Sequence, residues 1–168
     1  MFLDRDGVIN RRAAPHAYIR SWAEFVFLDG VPQAIRRLNR AGYLVIVVTN
    51  QRGVARGLLS RPELDELHRR MCASLAERGA RIDAVYVCPH EEGVCDCRKP
   101  GIGLLQAAER DHPLDRTRSW MIGDSLSDIL AGRRFGVSTA GIDLPEVHPS
   151  YPSLLEAVMA ITKGETEA

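Results

Sequence analysis

The sequence Leu44-Val45-Ile46-Val47-Val48-Thr49-Asn50 runs from five aliphatic residues directly into two polar ones. A short, continuous run that is rich in β-branched residues is typical of a strand buried on both faces of its sheet. The run is far shorter than the roughly 20 apolar residues that span a bilayer, so it predicts no transmembrane helix. A strand of this kind needs helices on both faces of its sheet, and the flanking sequence supplies them.

Helical and strand-like segments alternate on both sides of this run. One helix is predicted from Pro32 to Ala41, and another opens at the capping box Ser60-Arg61-Pro62-Glu63 and continues until Gly79. The other predicted elements are strands at 2–3, 84–87, 119–122 and 138–142 and helices at 125–135 and from Ser153 to about Ile161. This alternation predicts right-handed βαβ units, and therefore an α/β, doubly wound, mainly parallel sheet.

Composition narrows the class of protein. The chain has 168 residues, of which 45% are hydrophobic, and this predicts one domain over residues 1–168 with a frayed tail at 163–168. The 22 basic and 22 acidic residues cancel, which argues against a nucleic-acid or membrane partner. The first residues have no basic region followed by an apolar stretch, so the cytoplasm is the expected location. We expect a monomer.

Polar side chains follow several predicted strands, at the sheet edge where doubly wound proteins bind ligands. Asp4-Arg5-Asp6-Gly7 follows the first strand, and its two carboxylates could share one site or decorate a solvated turn. Thr49-Asn50-Gln51 offers neutral donors for an oxyanion, although such residues also occur in turns for conformational reasons. Asp124 could bind a hard cation, whereas Asp128 suits either such a site or a helix N-terminus.

Three of the four cysteines crowd into residues 88–97. Cys88-Pro89-His90 and Cys95-Asp96-Cys97 supply three thiolates and one imidazole, the closed ligand set of a structural zinc site. Iron–sulfur ligation and three free cysteines are the alternatives, the first disfavoured because His is an infrequent cluster ligand. Cys72 has no partner in sequence and suits ordinary packing. We predict that Zn²⁺ pins this loop immediately before Arg98 and Lys99.

The order of these motifs resembles that of the haloacid dehalogenase-like phosphatases over residues 2–142. The resemblance implies that Asp4 is a nucleophile that forms an aspartyl-phosphate, and that Asp6 is the general acid and base. It implies that Thr49 and Lys99 hold phosphoryl oxygens, and that Mg²⁺ binds to Asp4, to the backbone carbonyl of Asp6 and to Asp124. Lys99 is one of only two lysines in the chain, and a compact ammonium suits a site beside a transferring phosphoryl group.

The cysteine loop and the Arg-Lys-Pro that follows it resemble a zinc-bearing branch of this family that has no large cap domain. Within the branch, residues 4–10 and 49–57 are similar to those of phosphatases that act on heptose 1,7-bisphosphate. The resemblance implies that the enzyme removes the 7-phosphate of this substrate. The four residues between His90 and Cys95 are nearer to the histidinol-phosphate type. The resemblance implies a small sugar phosphate as substrate and assigns its contacts to Asn50, Gln51, Arg52, Arg98, Ser125, His16 and Tyr18.

Other classes of function fit these residues less well. A signalling receiver domain also combines Asp, Thr and Lys, but it carries its accepting Asp on a central strand well into the chain. A phosphosugar-binding module without catalysis is disfavoured because both Asp4 and Asp6 are present. Polynucleotide 3′-phosphatases share Thr-Asn-Gln, but this chain has no basic stripe interleaved with aromatic residues.

Overall fold

The computed structural model describes residues 1–14 and 17–163. Its strands are β1 (Phe2–Leu3), β2 (Ile46–Asn50), β3 (Ala84–Cys88), β4 (Trp120–Gly123), β5 (Ser138–Ile142) and β6 (Ser150–Tyr151). Its α-helices are α1 (Val31–Arg40), α2 (Arg61–Glu77), α3 (Gly103–Asp111), α4 (Leu126–Phe135) and α5 (Leu154–Lys163). The six strands form one sheet in the order β3-β2-β1-β4-β5-β6, and every neighbouring pair is parallel. The predicted doubly wound parallel sheet is confirmed.

The sheet is covered on both faces because successive strand residues point to opposite sides. Leu3, Val47 and Ile122 face a core that is completed by α1, α2 and α5. Phe2 and Met121 face a second core, which α3 and α4 complete. All five of these strand residues are at most 1% exposed. This two-sided burial explains why the strands read as continuous apolar runs.

Local signals set the helix ends where the sequence predicted them, to within a few residues. The Ser60–Glu63 capping box is present, with the Glu63 amide donating to Ser60 Oγ at 3.3 Å and Glu63 Oε2 accepting from the Ser60 amide at 2.6 Å. Pro62 lies in the first turn of α2, where its missing N–H has no helical partner to lose. Gly136 ends α4 in the left-handed conformation, at φ 86°.

Several predicted boundaries were wrong, and two elements were not predicted. The strand predicted at 44–48 lies at Ile46–Asn50, because Thr49 and Asn50 pair with Val87 and Cys88 of β3 instead of leaving the sheet. Helix α3 and the two-residue strand β6 were missed. Helix α5 includes Lys163, the first residue of the predicted tail, and residues 164–168 lie outside the described residues.

The strand order places the polar strand ends together. Strand β1 lies between β2 and β4, so the sequences that follow these three strands emerge side by side at the carboxyl edge of the sheet. The chain progresses outward from β1 in both directions, which creates a crevice at this edge. Within the described residues, no helix is both long enough and apolar enough to cross a membrane.

Candidate active site and metal cluster

A polar cavity of about 180 Å³ opens at the carboxyl edge of β1, β2 and β4. Asp4 follows β1, Thr49 lies near the end of β2, and Asp124 follows β4. The cavity is lined by Asp4, Asp6, Arg12, Thr49, Asn50, Lys99, Asp124, Ser125, Ser127 and Asp128. The structure therefore brings together all four predicted catalytic residues, which come from segments far apart in sequence.

Lys99 is buried between two carboxylates. Its Nζ lies 2.7 Å from Asp4 Oδ1 and 2.7 Å from Asp128 Oδ1, and it also donates to the backbone carbonyl of Val48 at 2.7 Å. The Lys99 and Asp128 side chains are each 1% exposed. Asp128 also accepts from the backbone amide of Ser125 at the start of α4, as its predicted role at a helix N-terminus requires, while a role in binding a cation stays a prediction. Its carboxylate fixes Lys99 against Asp4.

Three carboxylates of the cavity cluster around the single buried ammonium group of Lys99. One carboxylate oxygen from each of Asp4, Asp124 and Asp128 lies within 4.8 Å of the others. Burial raises the pKa of Asp4 to about 7, against the opposing effect of the Lys99 ammonium. Asp124 Oδ1 is a buried acceptor with no hydrogen-bond partner. Clustered carboxylate oxygens with an unsatisfied acceptor fit a hard divalent cation such as Mg²⁺.

Arg12 lies over this acid cluster. Its guanidinium Nη2 lies 2.7 Å from Asp124 Oδ2, while its side chain remains 58% exposed. The backbone at Gly7 approaches the same carboxylate so closely that a Cβ there would overlap Asp124 Oδ2, and its φ of 87° also favours glycine. A cation that binds Asp124 through both oxygens must therefore displace Arg12.

Asp6 lines the same cavity and is surrounded by hydrogen-bond donors. Arg5 Nη2 donates to Asp6 Oδ1 at 2.9 Å and to Oδ2 at 2.8 Å, while Asn10 and Gln51 each donate to one oxygen at 2.8 Å. Burial by itself would raise the pKa of Asp6, but the Arg5 charge and these hydrogen bonds outweigh it and lower the pKa. The carboxylate is held in one orientation at the side of the cavity.

The side chains at the end of β2 and just after it are engaged within the protein. The Gln51 side chain donates from Nε2 to Asp6 and to Thr49 Oγ1, at 2.8 and 2.7 Å. The Asn50 side chain exchanges two 3.1 Å hydrogen bonds with the backbone of Lys99. Asn50 lines the cavity, whereas Gln51 is 4% exposed. Both side chains hold catalytic candidates in place, and their predicted contacts with a sugar stay predictions.

Arg52 and Arg98 lie beside the cysteine loop and are not among the residues that line the cavity. Arg52 Nε donates to Tyr18 Oη at 3.1 Å, and its Nη1 lies 3.8 Å from Glu92 Oε2. Arg98 Nη2 lies 3.8 Å from Glu92 Oε1, and its buried Nη1 has no hydrogen-bond partner. Two guanidinium groups thus converge near one exposed carboxylate.

Two other residues were predicted to contact the substrate. Ser125 lies at the start of α4 and donates to Asp128. His16 lies outside the described residues.

The cysteine loop gathers its four predicted ligands. Their sulfur and nitrogen atoms lie within 4.8 Å of one another. Cys88 Sγ is 3.6 Å from Cys95 Sγ, which is 3.3 Å from Cys97 Sγ, and His90 Nδ1 lies 3.3 Å from Cys97 Sγ. Tetrahedral zinc with Zn–S distances of about 2.3 Å separates its sulfurs by somewhat under 4 Å, so this cluster is compatible with zinc. Burial and the neighbouring thiols raise the pKa of Cys97 well above its usual range, and a bound cation would favour the thiolate.

Three residues of the site have no role predicted from the sequence: Arg5, His68 and Arg12. Arg5 stands between the two acids of the first motif, and its partner His68 interrupts the apolar stripe of α2. Arg12 was not assigned a role, and the pairing of Asp128 with Lys99 was not foreseen. A histidine on an apolar helix face and a basic residue inside an acidic motif are signals that could have found the first two.

Comparisons with known proteins identify the family. The HAD-hydrolase-like family model matches residues 96–143. A curated D-glycero-beta-D-manno-heptose-1,7-bisphosphate 7-phosphatase from Photorhabdus laumondii is 41% identical over 147 residues, which cover 83% of this chain and 77% of that protein. The protein of the same name from Rhodopseudomonas palustris is 44% identical over 144 residues, covering 81% of this chain and 78% of its own length.

A solved structure is similar over nearly the whole chain. The crystal structure of D,D-heptose 1,7-bisphosphate phosphatase from B. bronchiseptica, complexed with magnesium and phosphate, has a TM-score of 0.90 at 32% identity and covers 98% of both chains. The parallel sheet and the acid-lined cavity thus define a hydrolase of the haloacid dehalogenase-like class, and within that class a phosphatase. The chain belongs to the family of the heptose-bisphosphate phosphatases.

Proposed function

We propose that the chain hydrolyses the 7-phosphate of D-glycero-D-manno-heptose 1,7-bisphosphate through an aspartyl-phosphate on Asp4. The observation that carries the proposal is the convergence of Asp4, Lys99 and Asp124 in one cavity. It is supported by relatives of that name that are 41% and 44% identical over about four fifths of the chain. Histidinol phosphate is the rival substrate, because only four residues separate His90 from Cys95.

Asp4 attacks phosphorus in the first half of the reaction. Lys99 holds Asp4 Oδ1, so Oδ2 is the oxygen assigned to form the new bond to phosphorus. The bond from phosphorus to the sugar oxygen breaks, and Asp6 donates a proton to that oxygen as it leaves. This step requires Asp6 to be protonated in the substrate complex, although its surroundings lower its pKa in the free protein. Two anions meet in this step, and the Lys99 ammonium offsets part of their repulsion.

Water releases the phosphate in the second half of the reaction. Asp6 is ionised after its first proton transfer, so it can accept a proton from the attacking water. The water oxygen bonds to phosphorus, the bond from phosphorus to Asp4 breaks, and inorganic phosphate leaves. Gln51 contacts both Asp6 and Thr49, and so couples the acid–base residue to a phosphate-binding hydroxyl. Asp4 is regenerated.

Two metal ions accompany this function. Asp4, the backbone carbonyl of Asp6 and Asp124 would hold Mg²⁺, which when bound supplies positive charge to the phosphoryl oxygens. The unsatisfied Asp124 Oδ1 supports this assignment. The three cysteines and His90 would hold a structural Zn²⁺, since they form a closed set with no position for water. The zinc loop connects directly to Arg98 and Lys99, and so would fix where both cations lie.

We assign binding of the second phosphate of the substrate to Arg52 and Arg98. Their guanidinium groups each lie 3.8 Å from a carboxylate oxygen of Glu92, and their side chains are 25% and 17% exposed. A planar guanidinium binds phosphate through paired hydrogen bonds, and two of them favour a dianion over a hydroxyl. A bisphosphate would therefore bind with one phosphate at Asp4 and the other at this pair.

A substrate panel tests the proposal. With Mg²⁺ present, kcat/KM is measured for heptose 1,7-bisphosphate, fructose 1,6-bisphosphate and histidinol phosphate. We expect heptose bisphosphate to exceed histidinol phosphate by about tenfold or more, because a substrate with a single phosphate leaves the partly buried Arg52 and Arg98 donors without an anion. Fructose bisphosphate, which has two phosphates, tests whether the sugar is also recognised. Asp4→Asn is the matched control, since it keeps the shape of the site, and it should remove turnover. Preference for histidinol phosphate would overturn the substrate assignment, and turnover by Asp4→Asn would overturn the mechanism.

A further inference from the structure

Arg5, which stands between the proposed catalytic residues Asp4 and Asp6 in the sequence, is a fully buried cation. It is 0% exposed and is the largest of the fully buried side chains. Its Nη2 and Nε atoms donate to Asp6, and its Nη1 lies 3.0 Å from His68 Nε2 on α2. The ring of Phe25 lies 6.0 Å from the guanidinium carbon. Asp6 and His68 are therefore the two polar side chains with which this buried guanidinium forms hydrogen bonds.

The chemistry of the contact fixes the state of His68. Arginine has only donors and stays protonated, so His68 Nε2 must be the acceptor. The imidazole is then neutral with its proton on Nδ1. Burial and the Arg5 charge lower the pKa of His68 to about 3, which agrees with a neutral ring at physiological pH. His68 is 6% exposed, so water does not readily replace it.

We propose that His68 is a positioning residue for the reaction: it holds the Arg5 guanidinium, which in turn orients the Asp6 carboxylate toward the substrate. This inference rests on the function proposed above, in which Asp6 transfers the protons. Three side chains hold Asp6, and Arg5 is the one that contacts both of its oxygens. Without His68, Nη1 would be a buried donor without a partner, and the guanidinium would turn away from Asp6 to find one.

The leaving group of the substrate separates positioning from general damage. Expulsion of a sugar alkoxide needs a proton from Asp6, whereas expulsion of dinitrophenolate needs none, because that anion is stable. The value of kcat/KM reports the steps up to formation of the aspartyl-phosphate, so it isolates the acid step from later hydrolysis. A misplaced Asp6 should slow an alkyl phosphate selectively, and a damaged fold should slow both substrates equally.

The experiment compares kcat/KM for glycerol phosphate and 2,4-dinitrophenyl phosphate in four variants of the Mg²⁺-loaded protein. We expect His68→Leu to lose about ten- to a hundredfold on glycerol phosphate and less than about threefold on dinitrophenyl phosphate. His68→Gln should recover most of the loss, because its amide oxygen accepts from Arg5. Leu75→Val, on the same buried face of α2, should show no such selectivity. Asp6→Asn provides the reference for selectivity when the acid is absent.

The outcomes separate the positioning role of His68 from the acid role of Asp6. If Asp6→Asn is selective and His68→Leu is not, the positioning role of His68 is wrong and the proposed function stands. If Asp6→Asn itself is not selective, the acid assignment fails and the inference fails with it. If His68→Leu does not fold, Arg5→Lys replaces it, since an ammonium cannot span Asp6 and His68 as the guanidinium does. Equal losses on both substrates for Arg5→Lys would then overturn the inference.

Discussion

Asp4→Asn should make the Mg²⁺-free protein more stable, although it removes the proposed nucleophile. Burial raises the pKa of Asp4 from 3.8 to about 7, and a tenfold change in acid strength corresponds to about 1.4 kcal/mol. Ionised Asp4 therefore costs the folded chain about 4 kcal/mol relative to the unfolded chain. Asparagine has no charge to bury. Lys99 keeps Asp128 and the Val48 carbonyl as partners, and the loss of its Asp4 contact is already included in this figure, because the Lys99 charge is one of the causes that set the pKa of Asp4.

The gain should depend on pH in a defined direction. Because the folded pKa of Asp4 lies above the unfolded one, wild-type stability falls as pH rises from about 4 to about 7 and is level above that. The variant lacks this loss. Its advantage should therefore approach about 4 kcal/mol near pH 8 and stay below about 2 kcal/mol near pH 5.

Urea unfolding followed by tryptophan fluorescence measures this difference, with Zn²⁺ retained and Mg²⁺ absent. Asp65→Asn is the control, because Asp65 is 55% exposed in a surface ion pair with Arg61 and should change stability by under about 1 kcal/mol. Adding Mg²⁺ should stabilise the wild type more than Asp4→Asn, since binding to the folded state alone raises its stability. The reasoning fails if Asp4→Asn is less stable than wild type near pH 8, or if its advantage does not change with pH.

Three further predictions concern other parts of the site. Gly123→Ala places a Cβ where the Asp128 side chain lies, so it should cost about 1–3 kcal/mol in urea unfolding and lower kcat; an unaltered variant contradicts this packing. Cys97→Ser removes one cluster ligand and should reduce bound zinc in elemental analysis, whereas Cys72→Ser should retain it; full zinc in the first variant contradicts the cluster. Arg12→Ala removes a competing guanidinium that is 58% exposed, so Mn²⁺ titration should detect affinity up to about fivefold tighter, and weaker binding would contradict the competition.

The fold was predictable where local sequence signals are strong. The capping box at Ser60 and the glycine at 136 mark helix ends by satisfying backbone groups, and these rules act over a few residues. Helix α3 lacked such signals, since it begins at Gly103 with no side-chain cap and spans nine residues. The predicted end of β2 at Val48 is too early. The change to polar residues does not end the strand, because pairing with β3 continues through Asn50.

The site was predictable in its acids and unpredictable in its supports. Asp4 and Asp124 follow strands, and parallel strands bring their carboxyl ends together, so their proximity follows from the order of the elements. The contact between Arg5 and His68 joins residues 63 positions apart, and no local pattern specifies it. Asn50 likewise holds the backbone of Lys99 from 49 positions away. Such contacts depend on how α2 and the zinc loop pack, which is a property of the whole fold.

Trapping of the covalent intermediate shows directly whether Asp4 is the nucleophile. Wild-type protein turning over heptose 1,7-bisphosphate with Mg²⁺ is quenched in acid and treated with borohydride, which reduces an aspartyl-phosphate to homoserine. Mass spectrometry of the N-terminal peptide then locates the modified residue. We expect homoserine at position 4, with position 6 unchanged and heptose 1-phosphate as the product. Homoserine at position 6, or no modification during rapid turnover, would contradict it.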